Sequence, residues 1–267
     1  MAAKIITITS GKGGVGKTTA TANLSVALAD LGQKVVCIDS DIGLRNLDVV
    51  LGLENRIVYD LVDVIEGRCR IRQAMIKDKR FDELFLIPAA QTRDKSAVSP
   101  SDMIALCEQI ENEFDWILID SPAGIERGFK NAIAPANSVI VITNPDVSAV
   151  RDADRIIGIV EAEEKGPARL IINRINPELI RRGDMLDAED ILDLLAINLV
   201  GIVPEDETVI MSTNVGKPVA TEEKSKAGQA FRNIARRLMG DEVPLMDLDL
   251  KEGIFQKISK IFTTGGK

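Results

Sequence analysis

The chain has 267 residues, of which 45% are hydrophobic and only 3% aromatic, and its formal net charge is −8 at pH 7. This length suits one large α/β domain or two small ones, with a core built mainly from Ile, Leu, Val and Ala. The absence of histidine excludes Ser-His-Asp catalysis and histidine metal sites, and the acidic balance argues against a general affinity for nucleic acid.

Short apolar runs rich in β-branched residues alternate along the chain with amphipathic stretches. The apolar runs predict strands at 4–9, 35–39, 84–88, 116–120, 138–143, 168–173 and 199–204. The amphipathic stretches predict helices at 18–31, 101–114, 147–163, 187–194 and 226–239. Strands that are apolar on both faces and alternate with helices predict a doubly wound, mostly parallel sheet with helices on both faces. We expect residues 1–240 to form one domain.

A glycine-rich segment connects the first predicted strand to the first predicted helix, and it contains G-x-x-x-x-G-K-T between Gly11 and Thr18. Such a turn directs backbone N–H groups at a phosphate, while Lys17 neutralises phosphate charge and the Thr18 hydroxyl ligates Mg²⁺. The predicted nucleotide contacts are Gly11, Lys12, Gly13, Gly14, Val15, Gly16, Lys17, Thr18 and Thr19. Lys12 is additional to the minimal motif. It is either a solvated loop lysine or a charge that reaches a phosphate, including one across a dimer interface.

Aspartates follow two further predicted strands, at the sheet edge where ligands bind in doubly wound folds. Strand 35–39 ends at Asp39, with Asp41 two residues later, and strand 116–120 ends at Asp120. An apolar run closed by Asp is typical of a residue that holds Mg²⁺, so we assign Asp120 to the metal. A hydrolase without histidine needs another group to orient water. We favour Asp41 for that role and Asp39 as an outer-sphere Mg²⁺ or switch residue, although the two roles could be exchanged.

The segment 11–18 resembles the deviant Walker A motif of the MinD/ParA family of P-loop ATPases, which includes the nitrogenase iron protein. The segment 39–48, D-S-D-I-G-L-R-N-L-D, resembles the MinD branch of this family more than the ParA branch. Similar stretches at 58–60, 88–95, 120–126, 143–148 and 201–206 extend the resemblance over nearly the whole chain. The resemblance implies an ATP hydrolase that uses ATP and Mg²⁺ and forms a homodimer when ATP is bound. It also implies that Lys12 contacts the nucleotide of the partner subunit.

The resemblance further implies roles for individual residues. Asp41 would be the hydrolytic residue, acting with Lys12 and Lys17, Asp120 the Walker B aspartate, and 121–126 a switch that senses the γ-phosphate. The adenine contacts would be Asn173, Pro204, Glu205 and Asp206, for which ordinary turn residues at strand ends are the alternative. The partner surface for a MinC-type division inhibitor and a MinE-type activator would include Arg151, Asp152 and Asp154. The alternative for these three residues is a solvated helix start with favourable acidic residues.

The end of the chain combines an acidic segment, 241–252, with an amphipathic stretch, 253–267. The first is predicted to be a linker. The stripe of one helix face and its flanking lysines comprise Ile254, Phe255, Lys257, Ile258, Lys260, Ile261 and Phe262. A basic amphipathic helix predicts an anchor on an anionic membrane surface. A helix that docks on its own domain or on a partner is the alternative, and the family resemblance favours the membrane.

The resemblance, together with the C-terminal pattern, implies a membrane-cycling ATPase for division-site placement, which moves between the cytoplasm and the inner face of the cell membrane. An ATP-bound dimer would bind the membrane and recruit a MinC-type inhibitor, and a MinE-type partner would stimulate hydrolysis. One alternative is a ParA-type ATPase that partitions DNA or cargo, against which the net charge of −8 argues. Another is an iron–sulfur carrier. That function needs paired cysteines, whereas Cys37, Cys69 and Cys107 form no paired motif and are expected to be reduced and mostly buried.

Overall fold

The structure of the protein is a computed structural model that describes residues 2–246. Its strands are β1 (Lys4–Thr9), β2 (Val35–Asp39), β3 (Ile76–Lys77), β4 (Leu84–Ile87), β5 (Trp116–Asp120), β6 (Ser138–Thr143), β7 (Ala168–Ile175) and β8 (Asn198–Pro204). Its helices are α1 (Lys17–Asp30), α2 (Leu47–Val50), α3 (Leu61–Ile65), α4 (Ile71–Ala74), α5 (Pro100–Glu108), α6 (Arg127–Ile133), α7 (Val147–Ala162), α8 (Pro177–Arg182), α9 (Ala188–Leu195), α10 (Thr208–Asn214) and α11 (Lys226–Met239). The predicted anchor at 253–267 lies outside the described residues, as do linker residues 247–252.

The strands form one sheet in the order β3-β4-β2-β5-β1-β6-β7-β8. Every pairing is parallel except that of β3 with β4, which confirms the predicted doubly wound, mostly parallel sheet. The register aligns Asp120 with Asp39 on β2 and with Ile8 on β1. The loops that follow β1, β2 and β5 therefore start at the same end of the sheet, at the carboxyl ends of its parallel strands, which is where doubly wound folds bind ligands.

Alternating side chains on each strand face opposite layers of helices. On β5, Leu118 belongs to the apolar cluster that contains α1 and α11, whereas Ile117 and Ile119 belong to the cluster that contains α5. A third cluster packs α7 and α9 against β6, β7 and β8. A sheet covered on both faces explains why the strands are apolar along their whole length.

The structure differs from the predicted elements mainly in short segments of the chain. The predicted helix 101–114 ends early, because α5 stops at Glu108 and the chain continues in turns that bury Ile110 and Phe114. The elements that were not predicted are the edge strand β3 and the helices α2, α3, α4, α6, α8 and α10. Segments of two to seven residues are too short to show a clear hydrophobic period, and their stability comes from packing. Among residues 2–246, no helix combines the length and apolar character needed to cross a membrane.

The three cysteines are free, as predicted, with Cys37 and Cys107 buried and Cys69 half-buried. Burial raises the pKa of the Cys37 and Cys107 thiols to about 12, so both stay protonated near neutral pH. A protonated, buried thiol is a poor metal ligand.

Candidate active site

The phosphate loop connects the end of β1 to the start of α1. Gly14 and Gly16 adopt left-handed φ angles of 78° and 105°, which residues with a side chain rarely adopt. A Cβ at Gly16 would also collide with the amide of Asn173. Because glycine precedes α1, no side chain caps the first N–H groups of this helix. These donors, at the positive end of the helix, are available to a phosphate.

Lys17, the first residue of α1, is only 8% exposed although it carries an ammonium group. Burial lowers the pKa of Lys17, and the carboxylates of Asp120 and Asp41 raise it. The structure therefore brings together three residues that the motifs predicted separately. A buried cation beside a set of free N–H donors fits the phosphates of a nucleotide.

Asp39 and Asp120 end neighbouring strands and are both buried. Burial raises the pKa of each carboxyl, and the charge of Asp39 raises the pKa of Asp120 further. The Thr18 side chain lowers the pKa of Asp120. The Thr21 hydroxyl donates to the Lys17 carbonyl at 3.0 Å and lies 3.4 Å from Oδ1 of Asp120. Crowded carboxylates beside hydroxyl groups fit Mg²⁺, which prefers oxygen ligands, so Thr18 and Asp120 remain the predicted metal residues.

The carboxylate of Asp39 is occupied by backbone donors. Its Oδ1 accepts from the N–H of Asp41 at 3.0 Å, and its Oδ2 accepts from Asn46 and Leu47, each at 3.1 Å. Asp39 thereby holds the loop between β2 and α2 and the first N–H group of that helix. Its participation in Mg²⁺ binding stays a prediction.

Asp41 lies in this loop and is half-buried. Its Oδ1 is buried and has no hydrogen-bond partner within residues 2–246. Burial raises the pKa of Asp41, while Lys95 and Lys17 lower it. This buried oxygen does not face solvent, and the predicted hydrolytic role of Asp41 stays a prediction.

The Lys12 side chain contacts residues at the start of α7 in the same subunit. Its Nζ donates to Ser148 Oγ at 2.9 Å and lies 3.9 Å from Asp146 Oδ1. The Lys12 side chain is 48% exposed, so these contacts hold it weakly. Its predicted contact with the nucleotide of a partner subunit stays a prediction.

The segment 121–126, which resembles a switch, is tied to the strand ends by hydroxyl groups that motif reasoning missed. Ser121 Oγ donates to Thr9 Oγ1 at 2.8 Å, beside the phosphate loop. Ser40 Oγ donates to the Asp120 carbonyl at 2.7 Å, which joins the loops after β2 and β5. The signal that could have found these residues is a Ser or Thr at the end of a buried strand.

A cavity of about 750 Å³ lies beside the phosphate loop, near the ends of β7 and β8, and its volume is typical of small-molecule sites. Asn173 donates from Nδ2 to the Val15 carbonyl at 2.7 Å, which ties the cavity wall to the loop. The sequence reasoning missed Asn176, whose Nδ2 donates to Glu205 Oε2 at 2.9 Å and whose Oδ1 caps α8. The cavity wall includes all four predicted adenine contacts, Asn173, Pro204, Glu205 and Asp206.

Asp206 connects this cavity to the start of α11. Its carboxylate accepts from the Thr208 N–H at 2.9 Å, from Ser225 Oγ at 2.7 Å and from the Ala227 N–H at 3.2 Å. Partial burial raises the pKa of this carboxyl. The hydrogen bonds from Thr208, Ser225 and Ala227 outweigh burial and lower the pKa to about 2.

The predicted partner residues lie on the first turns of α7. Arg151 and Asp154 are exposed, and Asp152 is half-buried. A Cβ at Gly11 would collide with the backbone of Asp152, so α7 touches the phosphate loop directly. The predicted partner surface and the candidate nucleotide site are therefore neighbours.

Known proteins resemble this chain over nearly its whole length. A family model described as an AAA domain matches residues 3–170. The septum site-determining protein MinD of Bacillus subtilis is 55% identical over 260 residues, which cover 96% of this chain and 97% of that protein. The MinC:MinD cell division protein complex of Aquifex aeolicus contains a chain that is 50% identical, with a TM-score of 0.86, over 91% of this chain and 99% of that one. The MinD of Pyrococcus horikoshii, complexed with Mg-ADP, is 30% identical with a TM-score of 0.81, over 90% of this chain and 100% of that one.

Proposed function

The chain belongs to the MinD family of septum site-determining ATPases, and from this premise we propose that it is a nucleotide-dependent membrane switch in division-site placement. In its ATP-bound form it pairs with a second copy, attaches to the inner face of the cell membrane through residues 253–267 and recruits a MinC-type inhibitor. A MinE-type partner stimulates hydrolysis, which releases the chain into the cytoplasm. The observation that carries the proposal is the buried Lys17 between a phosphate loop and the aspartates of two neighbouring strands.

Mg²⁺–ATP, when bound, supplies the phosphoanhydride bond and a cation that neutralises charge on the phosphates. The chain's own groups bind and orient these phosphates. The N–H groups at the start of α1 and the ammonium of Lys17 are positioned to hold them, and Thr18 and Asp120 to hold the cation. The half-buried carboxylate of Asp41 would orient the attacking water.

A MinC-type partner is supported by the Aquifex MinC:MinD complex, since one of its chains is 50% identical to this one. We assign its binding to the start of α7, where Arg151 and Asp154 are exposed. Because α7 touches the phosphate loop at Gly11, a change in the loop on nucleotide binding also displaces this surface. Partner binding at α7 would therefore depend on the nucleotide, and a MinE-type partner at the same place would affect hydrolysis.

The membrane step rests on the sequence of residues 253–267. An isolated helix of about a dozen residues is marginal in water, so the anchor forms mainly on lipid. Each lysine near an anionic surface contributes about 1 kcal/mol. One anchor binds weakly, whereas two anchors on one dimer bind about a hundredfold more tightly or better through effective concentration. ATP-dependent pairing is thereby converted into ATP-dependent membrane attachment. Relatives that are 55% and 57% identical to this chain are MinD proteins, so the ParA-type alternative has less support.

Sedimentation with anionic vesicles tests this proposal. We expect the full chain to sediment with vesicles in ATP and to stay in the supernatant with ADP or without nucleotide. A variant that lacks residues 253–267 should bind ATP with unchanged affinity but should not sediment. Sedimentation that does not depend on nucleotide, or that survives the deletion, would contradict the proposed switch.

A further inference from the structure

The last residues that the structure describes, 241–246, lie against the domain. Gly240 ends α11 in a left-handed conformation, with a φ of 104°, and the chain turns back. Leu245 and Met246 then pack against the apolar clusters that include residues of β8. Strand β8 is the last strand at one side of the sheet.

Arg237, in the last turn of α11, holds this segment. Its Nε donates to the Val243 carbonyl at 2.7 Å, and its Nη2 donates to the Pro244 carbonyl at 2.6 Å. Its Nη1 donates to the Val200 carbonyl of β8 at 3.0 Å. The rigid fork of one guanidinium therefore joins the helix, the edge strand and the departing chain.

The close approach of α11 to β8 makes this arrangement possible. A Cβ at Gly201 would collide with Ile234 and would lie 3.5 Å from Nη1 of Arg237. The preceding residue, Arg236, differs from Arg237 in its surroundings. Its Nε forms a surface ion pair with Asp241 at 3.0 Å, and both side chains are about half exposed. Arg236 therefore provides a matched control of equal charge.

We propose that Arg237 is a positioning residue that fixes where the C-terminal segment leaves the domain and so sets the length of its tether. This inference rests on the proposed function, because tether length matters only if residues 253–267 bind a membrane. With Met246 held on the domain, the six residues 247–252 separate it from the anchor. If the chain were released after Gly240, the twelve residues 241–252 would do so.

The length of the tether affects how strongly two anchors act together. Once one anchor of a dimer is bound, the effective concentration of the second falls as roughly the −3/2 power of tether length. Doubling the tether from six residues to twelve lowers this concentration about threefold. Arg237 therefore strengthens membrane attachment of the dimer without touching lipid or nucleotide.

The test measures binding of the full chain with ATP to vesicles of phosphatidylglycerol and phosphatidylcholine. Arg237→Ala should raise the half-saturating lipid concentration about threefold. Arg237→Lys should behave like Arg237→Ala, because it keeps the charge but cannot make the three hydrogen bonds. Arg236→Ala, which removes the same charge, should bind like the unmodified chain. Six Gly/Ser residues inserted after Met246 in the unmodified chain should reproduce the threefold loss.

A second measurement reports the contact itself without membranes. Cleavage by a glutamate-specific protease after Glu242 should be slow in the unmodified chain and several-fold faster in Arg237→Ala. Arg237→Ala also loses the bond to Val200, so it should unfold at a somewhat lower temperature, but its basal ATPase rate without vesicles should stay unchanged, which separates release of the segment from general unfolding.

Equal protection of Glu242 in both chains, or unchanged vesicle binding by Arg237→Ala or by the insertion variant, would overturn the inference. If the unmodified chain failed to bind vesicles in ATP while Glu242 protection still depended on Arg237, the proposed function would fail. The contact made by Arg237 would then stand without its membrane role.

Discussion

Asp39 and Asp41 are two positions apart, but the folded chain gives them different surroundings. Asp39 is fully buried, and its two oxygens accept three backbone N–H bonds. Asp41 is half-buried and keeps one oxygen without a partner within residues 2–246. A carboxylate that accepts three backbone N–H bonds holds its loop in place. These surroundings give Asp39 a loop-holding role, and the hydrolytic role of Asp41 stays a prediction.

At the same scale, Asp206 should make the stability of the domain depend on pH. The folded-state pKa of about 2 lies below the ordinary value of 3.8, so the carboxylate stabilises the fold above about pH 4. This contribution is lost as the pH falls towards 2. We expect Asp206→Asn to lower the unfolding free energy by about 1 kcal/mol at pH 7 and by less at pH 3.

Urea unfolding of both chains at pH 7, 5 and 3 checks this prediction. The exposed Asp193, on α9, provides the control, since Asp193→Asn should have little effect at any of these pH values. A difference between the unmodified chain and Asp206→Asn that is the same at pH 7 and pH 3 would contradict it.

At the scale of elements, the long strands and helices follow from local pattern, and the short helices do not. Strands β1, β2, β5 and β6 and helix α11 have the predicted bounds. The helices that were not predicted, α2, α3, α4, α6, α8 and α10, have only four to seven residues each. Elements of this length are unstable alone and depend on packing, so their positions are set by residues that are distant in sequence.

Two glycines in regular elements should respond to alanine with opposite signs. A Cβ at Gly158, on the exposed side of α7, meets nothing within 4 Å, so Gly158→Ala should stabilise the fold by about 0.5–1 kcal/mol. A Cβ at Gly201 would collide with Ile234 of α11, so Gly201→Ala should destabilise it by about 1–3 kcal/mol. Midpoints of urea unfolding measure both changes. Equal signs for the two variants would show that the spacing of α11 from β8 does not limit residue 201.

At the scale of the whole molecule, the candidate nucleotide site is assembled from both halves of the sheet. The phosphate loop follows the central strand β1, the aspartates follow β2 and β5, and the cavity wall includes the ends of β7 and β8. The side chain of Lys12 is the part of the loop that faces α7 and solvent. This placement leaves it accessible to a second copy of the chain.

Lys12→Ala should therefore weaken pairing of two copies in ATP, because a charge-assisted contact between subunits would be lost. We expect the dimer to be weaker by about tenfold or more, with nucleotide binding to the single chain largely retained. Light scattering with ATP measures the dimer, and the exposed Lys79, in the turn after β3, provides the control as Lys79→Ala. Unchanged dimerisation of Lys12→Ala would remove the basis for a contact across the interface.

The fold class, the phosphate loop and the aspartates that close β2 and β5 can all be predicted from the sequence alone. These features are local, since hydrophobic period and glycine spacing act within about fifteen residues. The amphipathic pattern of residues 253–267 likewise predicts a membrane anchor, and these residues lie outside the part of the chain that the structure describes.

How these parts are joined becomes visible in the folded chain. Folding gives Asp39 and Asp41 different surroundings and brings Lys12 into contact with Ser148, which is 136 residues away in the chain. It also brings the segment after α11 into contact with Arg237. Contacts of this kind join residues that are remote in sequence, so no local period or motif contains them. They form because the parallel sheet brings the ends of its strands, and the helices beside them, into one place.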